Sequence, residues 1–227
     1  KLFYNINSYL EPKPENPFII TFGGAFSNHI AATAALGKKF QLKVLGIIRG
    51  EELQNKWQEN PTLKLAHENG MEFRFVTREA YRNKESLTQI LQKEFPEALI
   101  IPEGGTNDRA VEGIQYMLNS ETKSFDYLCT AVGTGGTVAG ISKFAEENQQ
   151  VLGFKVVDDD FLYNRVVELS KRNNCKLIEA HDGGYGKISD ENIRFINVFK
   201  EKYGIQLDPI YTGKMMKKIF ELIDNNY

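Results

Sequence analysis

Three short stretches of this chain hold residue types and spacings that can do chemistry. The first is Ala131-Val-Gly133-Thr134-Gly135-Gly136-Thr137-Val-Ala-Gly140. Its glycines let backbone approach a ligand closely, and a helix starting behind them offers free N–H groups and a positive dipole end, a combination that binds phosphate. Thr134 and Thr137 add hydroxyl donors. It is not a Walker A loop, because no Gly-Lys-Ser/Thr follows, and Val138 occupies the last glycine position of a dinucleotide fingerprint. A dinucleotide reading stays open, with Asp158 ending the next strand about 20 residues on as the ribose-binding acid; so does a plain glycine turn. The second stretch is Gly23-Gly24-Ala-Phe-Ser27-Asn28-His29. Ser27 or Asn28 can simply cap a helix. Three adjacent polar side chains exceed what one cap needs and suit a small anionic substrate. The third is a pair of tyrosine loops, Asp182-Gly-Gly-Tyr185-Gly-Lys and Leu207-Asp-Pro-Ile-Tyr211-Thr212-Gly-Lys. A tyrosine among glycines is usually a surface turn; in a site it offers an aromatic face to a planar group and a phenol for proton transfer.

The elements that position these stretches follow from hydrophobic pattern. Short apolar runs at Phe18–Phe22, Lys43–Ile48, Met71–Val76 and Ala98–Ile101 alternate with helical periodicity over 27–40, 53–69 and 83–95. Runs that are apolar on both faces are buried parallel strands, and the alternation predicts βαβ units. The rhythm restarts after Ser120-Glu-Thr-Lys-Ser124. Strands are expected at Tyr127–Val132, Val151–Val157 and Lys176–Glu179, and helices from the glycine loop to about Asn148, over 161–173, over 190–203 and from Tyr211 to about Asn226. The expected fold class is α/β, two lobes of parallel sheet with flanking helices: a smaller domain over 1–115 and a larger one over 116–227. The first two stretches fall where a strand ends and a helix begins, and each tyrosine loop leads into a helix.

Composition narrows the function classes. The 227 residues are 41% hydrophobic and 26% charged, with formal charge −2, an ordinary globular balance without a field for gripping nucleic-acid phosphates. No apolar run approaches the ~20 residues of a membrane span, and Lys1-Leu-Phe-Tyr-Asn is no signal peptide. Cys129 and Cys175 lie far apart without metal spacing, so neither a disulfide framework nor a metal site is expected. Cys129, in an apolar run, is expected to act as a small hydrophobe. His67, His181, Trp57 and the Asp158–Asp160 acids read as surface or packing residues. A cytoplasmic homodimer without nucleic-acid or membrane partners is the expectation.

Gly24-x-x-Ser27-Asn28-His29, Pro102-Glu-Gly-Gly-Thr-Asn107, Gly133-Thr-Gly-Gly-Thr137 and Leu207-Asp-Pro-Ile-Tyr211-Thr-Gly-Lys214 occur in this order. In that order they resemble the 1-aminocyclopropane-1-carboxylate deaminase and D-cysteine desulfhydrase family, pyridoxal-phosphate (PLP) enzymes of the tryptophan synthase β-like fold (fold type II). The resemblance spans essentially the whole chain. It implies a PLP-dependent lyase acting on a small amino acid. Asn28 would bond the cofactor's phenolic oxygen, and Ser27 would face the substrate carboxylate and help move its proton, with His29 beside it. Gly133, Thr134, Gly135, Gly136 and Thr137 would hold the phosphate. Tyr211 would lie against the ring and Tyr185 near the substrate amine. Thr212 occupies the position where the deaminases carry Glu and the desulfhydrases Thr; a neutral residue there favours D-cysteine elimination to pyruvate, sulfide and ammonia, with cyclopropane ring opening as the alternative. A nucleotide-binding Rossmann protein or a non-catalytic homologue are the readings from other classes. The family's Schiff-base lysine precedes a Lys-Leu pair that Lys1-Leu2 resembles, which places it about three residues upstream of Lys1. The family also continues past Tyr227 with a strand and a His-Thr-Gly-Gly loop. Both ends are expected to be cut, and the chain as given to be inactive.

Overall fold

The computed structural model describes residues 1–225 and divides into two compact units, Lys1–Ala110 and a second that begins at Val111. In the first, α1 (Leu2–Leu10) precedes β1 (Phe18–Gly23), α2 (Asn28–Phe40), β2 (Lys43–Arg49), α3 (Pro61–Glu68), β3 (Met71–Val76), α4 (Arg78–Arg82), α5 (Lys84–Glu94) and β4 (Leu99–Ile101). The sheet runs β3-β2-β1-β4 and is wholly parallel, with Ile19 opposite both Val44 and Leu99. Successive residues of a strand point to opposite faces, so β1 feeds two cores. Ile19 joins Ile30, Ala34, Val44, Leu63 and Met71; Ile20 and Phe22 join Leu45, Ile47, Tyr81 and Leu91. That burial on both faces is why these strands are apolar throughout.

α6 (Asp108–Glu112) carries the chain into the second unit, which contains β5 (Tyr127–Val132), α7 (Gly136–Phe144), β6 (Gln150–Lys155), α8 (Leu162–Ser170), β7 (Cys175–Glu179), α9 (Asp190–Tyr203) and α10 (Thr212–Asp224). Its three strands are parallel in the order β5-β6-β7. Val132, Val138, Ile141, Val151, Leu162 and Val166 form the main core, and Ile196, Phe199 and Leu207 a smaller one against Phe195 and Phe220.

The structure corrects several expectations. The helix expected over 53–69 is two single turns, Glu51–Leu53 and Trp57–Glu59, followed by α3. Pro61 has no N–H to give a continuing helix, so it stands at the first helical position and Asn60 caps Leu63 N–H instead. α7 stops at Phe144, short of Asn148, because Ala145 is extended and the buried Gln149 ties the next turn to the carbonyls of Thr122 and Phe125. β6 ends at Lys155, so Asp158 is an exposed loop residue three positions beyond the strand. Cys129 is exposed rather than packed as a small hydrophobe, whereas Cys175, on the other outer strand of the same sheet, is buried in the core. The end of α10 expected near Asn226 lies outside the described residues. Among the described residues no helix is long and apolar enough to cross a membrane, and no His, Cys, Asp and Glu cluster could hold a metal.

Gly140 shows how tightly the second core is packed. A Cβ there would stand 2.4 Å from Cβ of Ile114. Alanine gains about 1 kcal/mol of helix propensity over glycine, but this clash involves a side-chain root that cannot swing aside. Gly140→Ala is therefore expected to lose about 1–3 kcal/mol net in denaturant unfolding; an unchanged or raised stability would mean that the backbone moves apart at no cost to admit the methyl.

Candidate active site

In the first unit the chain leaves β1 through Gly23-Gly24 and enters α2 at Ser27. A Cβ on Gly23 would meet Ile30 Cγ1 at 2.4 Å, so glycine is what lets the strand end lie on the helix. Ser27 is buried and extended (φ −76°, ψ 111°), and its Oγ accepts from Ile30 N–H at 3.3 Å. That cap uses one lone pair. The hydroxyl proton and the second pair stay available. Asn28 is exposed.

His29 turns inward. Its Nε2 lies 2.6 Å from Oγ1 of the fully buried Thr21, and Thr21 Oγ1 lies 3.1 Å from the Ile101 carbonyl. A carbonyl only accepts, so the Thr21 proton goes to Ile101 and His29 Nε2–H donates to Thr21. Nδ1 is then left as an acceptor. Burial, reinforced by the nearby Lys1 ammonium, pushes His29 down to about 3 and keeps it neutral; burial also lowers Lys1 to about 8. Beside the ring is Gly105 at φ 62°, where a Cβ would stand 3.0 Å from His29 Cε1. Asn107 closes the same loop, donating to buried Asn5 at 2.7 Å and capping Ala110 N–H at 2.9 Å. The Pro102–Asn107 motif thus braces the imidazole.

In the second unit β5 runs into Gly133 and α7 begins from Gly135 in the left-handed region (φ 91°), with no side chain capping its first turn. By contrast, α2, α3, α4, α5 and α9 are capped by Ser27, Asn60, Thr77, Asn83 and Ser189. The start of α7 therefore presents backbone N–H groups and the positive end of a dipole. Thr134 and Thr137 flank it, both half-buried. A Cβ on Gly133 would lie 3.4 Å from Tyr211 Cε1, so the loop runs against that ring. Tyr211 and Tyr185 meet edge to face, with ring centroids 6.1 Å and phenolic oxygens 3.1 Å apart.

Asp208, which the motif contains but the sequence reading gave no role, holds this arrangement. Its carboxylate accepts from the N–H groups of Ile210, Tyr211 and Thr212 and from the Thr212 hydroxyl at 2.7 Å, while Thr212 Oγ1 accepts from Asp208 N–H. Buried Lys214 was missed likewise; its Nζ donates to the carbonyls of His181 and Gly184. The signal for Asp208 was an acidic residue just before a helix; a lysine has none. Ser27, Asn28 and His29 belong to the first unit, and the glycine loop, Tyr185, Tyr211 and Thr212 to the second.

The depressed His29 pKa gives a pH prediction. Unfolded, the imidazole binds its proton below about 6.5, whereas folded it does so only near 3. Its contribution is fully present above the unfolded value and is lost as pH falls, at up to ~1.4 kcal/mol per pH unit between the two. His29→Gln should flatten the stability-versus-pH curve between pH 6.5 and 4 relative to wild type. Superimposable slopes would mean that the folded protein protonates His29 freely.

No family model matches the chain. It is 31% identical to a Thermotoga maritima protein provisionally named 1-aminocyclopropane-1-carboxylate deaminase, over 92% of this chain and 73% of that one. It is also 31% identical to the mitochondrial bifunctional D-cysteine desulfhydrase/1-aminocyclopropane-1-carboxylate deaminase of Arabidopsis thaliana, over 86% of this chain and 56% of that one. Among solved structures, one described as an ACC deaminase homologue aligns over 98% of this chain and 73% of its own, with TM-score 0.79 and 27% identity. Identity sustained along the same backbone path, with the ordered motifs at the ends of its strands, makes the assignment: the chain belongs to the 1-aminocyclopropane-1-carboxylate deaminase and D-cysteine desulfhydrase family of pyridoxal-phosphate enzymes.

Proposed function

We propose that this protein is a PLP-dependent lyase that eliminates thiol from D-cysteine, giving pyruvate, sulfide and ammonia. The residues of the second unit fit the cofactor. The start of α7 has no side-chain cap and Gly135 holds a left-handed φ, which together suit a phosphate. The Tyr211 ring beside Gly133 suits the face of a pyridine. When bound, PLP supplies an electron sink for the charge left at the substrate Cα once its proton departs.

The chain's own residues divide the remaining work. Gly133 through Thr137 bind and orient the phosphate. Tyr211, fixed at its backbone by Asp208, supports the ring, and the Tyr185 phenol stands beside it within reach of the substrate amine. By the resemblance, Asn28 would bond the phenolic oxygen of the cofactor. Ser27 keeps a proton and a lone pair after capping α2, enough to bond the substrate carboxylate and carry the Cα proton. His29 serves through its backbone N–H in the first turn of α2, since its side chain is neutral and its Nε2 proton is given to Thr21.

The observation that carries the choice of substrate is Thr212. It is uncharged, and its proton is spent on Asp208. It can offer a lone pair but no negative charge, which suits elimination of a thiolate, already a good leaving group, better than opening a cyclopropane. The other reading, 2-oxobutanoate from 1-aminocyclopropane-1-carboxylate, is supported by the names of the relatives. Turnover of both substrates by the full-length, PLP-loaded protein separates them: pyruvate and sulfide from D-cysteine are expected, with little 2-oxobutanoate. The opposite preference would overturn the reading of Thr212.

Ser27 has a sharper test. Losing the cap costs about 1 kcal/mol; losing an acid–base group costs about 10²-fold in kcat. Ser27→Ala should show both, a small fall in Tm and a large one in kcat, with cofactor content unchanged. A near-normal kcat would leave Ser27 as a cap alone.

A further inference from the structure

Lys214 has no task in the reaction described so far, yet it is one of the few charged side chains taken out of water in this chain, at 2% exposure. Lysines are almost never fully buried unless paired, because the ammonium gives up its hydration. Here the partners are two carbonyls of one loop, His181 at 2.6 Å and Gly184 at 3.0 Å. We propose that Lys214 is a positioning residue, whose ammonium pins the 181–186 loop so that the Tyr185 phenol stands beside that of Tyr211. This rests on the roles given above to the two tyrosines.

The loop needs an external clamp. Asp182, Gly183, Gly184 and Gly186 all have positive φ (49°, 84°, 121° and 76°). A run so rich in glycine has much conformational freedom to lose on ordering. Two turn bonds hold it from within, Gly184 N–H to His181 O and Lys187 N–H to Gly184 O. Lys214 bonds those same two carbonyls, using the second lone pair of each, so one cation fastens both turns. Cβ atoms added at Gly183 or Gly184 would find only Lys187 within reach, at 3.9 and 3.8 Å, so little packs against the glycines of the loop. A cavity of about 250 Å³, lined among others by His181, Asp182, Gly183 and Lys214, gives it room to move once released.

Lys214 also sits in the right place to pass the constraint on. It lies one turn after Tyr211 on α10, and residues three apart share a helix face. The same helix start therefore fixes one tyrosine through its backbone and the other through the lysine. Asp182 adds electrostatic attraction for the ammonium and is itself held by the Ser189 hydroxyl at 2.6 Å.

The test uses Lys214→Met in the full-length, PLP-loaded protein, read by hydrogen exchange as well as by turnover. Amides of 182–187 are expected to exchange about tenfold faster or more, while those at the start of α7 keep their protection. kcat should fall about tenfold or more with KM within about twofold, as a misplaced group costs rate rather than binding. Lys214→Arg, which keeps donors and charge, should restore loop protection at least in part. A folded Lys214→Met protein with wild-type exchange in the loop overturns the proposal, as does an equal rise in exchange throughout the unit. If the methionine variant does not fold, Lys214→Gln, with one donor left, must show the selective loosening of the loop. Tyr185→Phe separates this inference from the reading beneath it. If that variant turns over normally, the role of Tyr185 falls, while loop exchange still decides the role of Lys214.

Discussion

The Asp208 carboxylate accepts from three consecutive backbone N–H groups, those of Ile210, Tyr211 and Thr212, and from the Thr212 hydroxyl. A helix start has N–H groups that its own ladder cannot reach, and this one carboxylate takes over that task for α10. The consequences reach further than a cap. With the backbone of Tyr211 fixed, its ring is set against Gly133. With the first turn of α10 fixed, Lys214 reaches the carbonyls of His181 and Gly184. Gly213 completes the geometry: a Cβ there would come within 2.8 Å of the Asp208 carbonyl, which instead accepts the Gly213 N–H.

The same physical problem is solved differently at two other helix starts, one in each unit. α2 is capped by a serine that spends a lone pair and keeps its proton. α7 is entered through a left-handed glycine and has no side-chain cap, so its dipole and N–H groups face outward from the protein's own bonding. Parallel strands make this possible, because each strand hands the chain to a helix at the same end of its sheet. The starts of α2 and α7 follow that rule, behind β1 and β5, whereas α10 follows α9 and a loop and takes its start from Asp208 instead.

Most of the fold was legible in the sequence because its strands are buried on both faces and so stand out as short apolar runs. Phe18–Gly23, Lys43–Arg49, Met71–Val76 and Tyr127–Val132 fall where pattern places them. Pattern failed where a single residue outweighs periodicity: Pro61 resets the helix expected from Leu53, and the buried Gln149 halts α7 early. Of the site, Ser27 and the glycine loop were visible because caps and glycine turns are local. Thr21 and Lys214 were not, for the opposite reason. A threonine in an apolar strand and a lysine in a helix look ordinary until contacts with residues 80 and 33 positions away bury their polar atoms.

Thr212 shows how the helix start and the chemistry are tied together. A threonine hydroxyl has one proton and two lone pairs. The proton goes to Asp208 Oδ2, one lone pair accepts Asp208 N–H, and one pair remains. An ionised glutamate, the residue the resemblance assigns to the deaminases at this position, has no proton to give to Asp208. Like charges so close disfavour each other, so its carboxylate would turn away from the cap toward whatever cation it could find. Threonine is drawn into the cap, whereas glutamate is pushed out of it. The three N–H groups on Asp208 survive either choice, which leaves Tyr211 in place while the charge beside it changes. The backbone cap is thus independent of the side chain at 212, because its three donors are main-chain N–H groups.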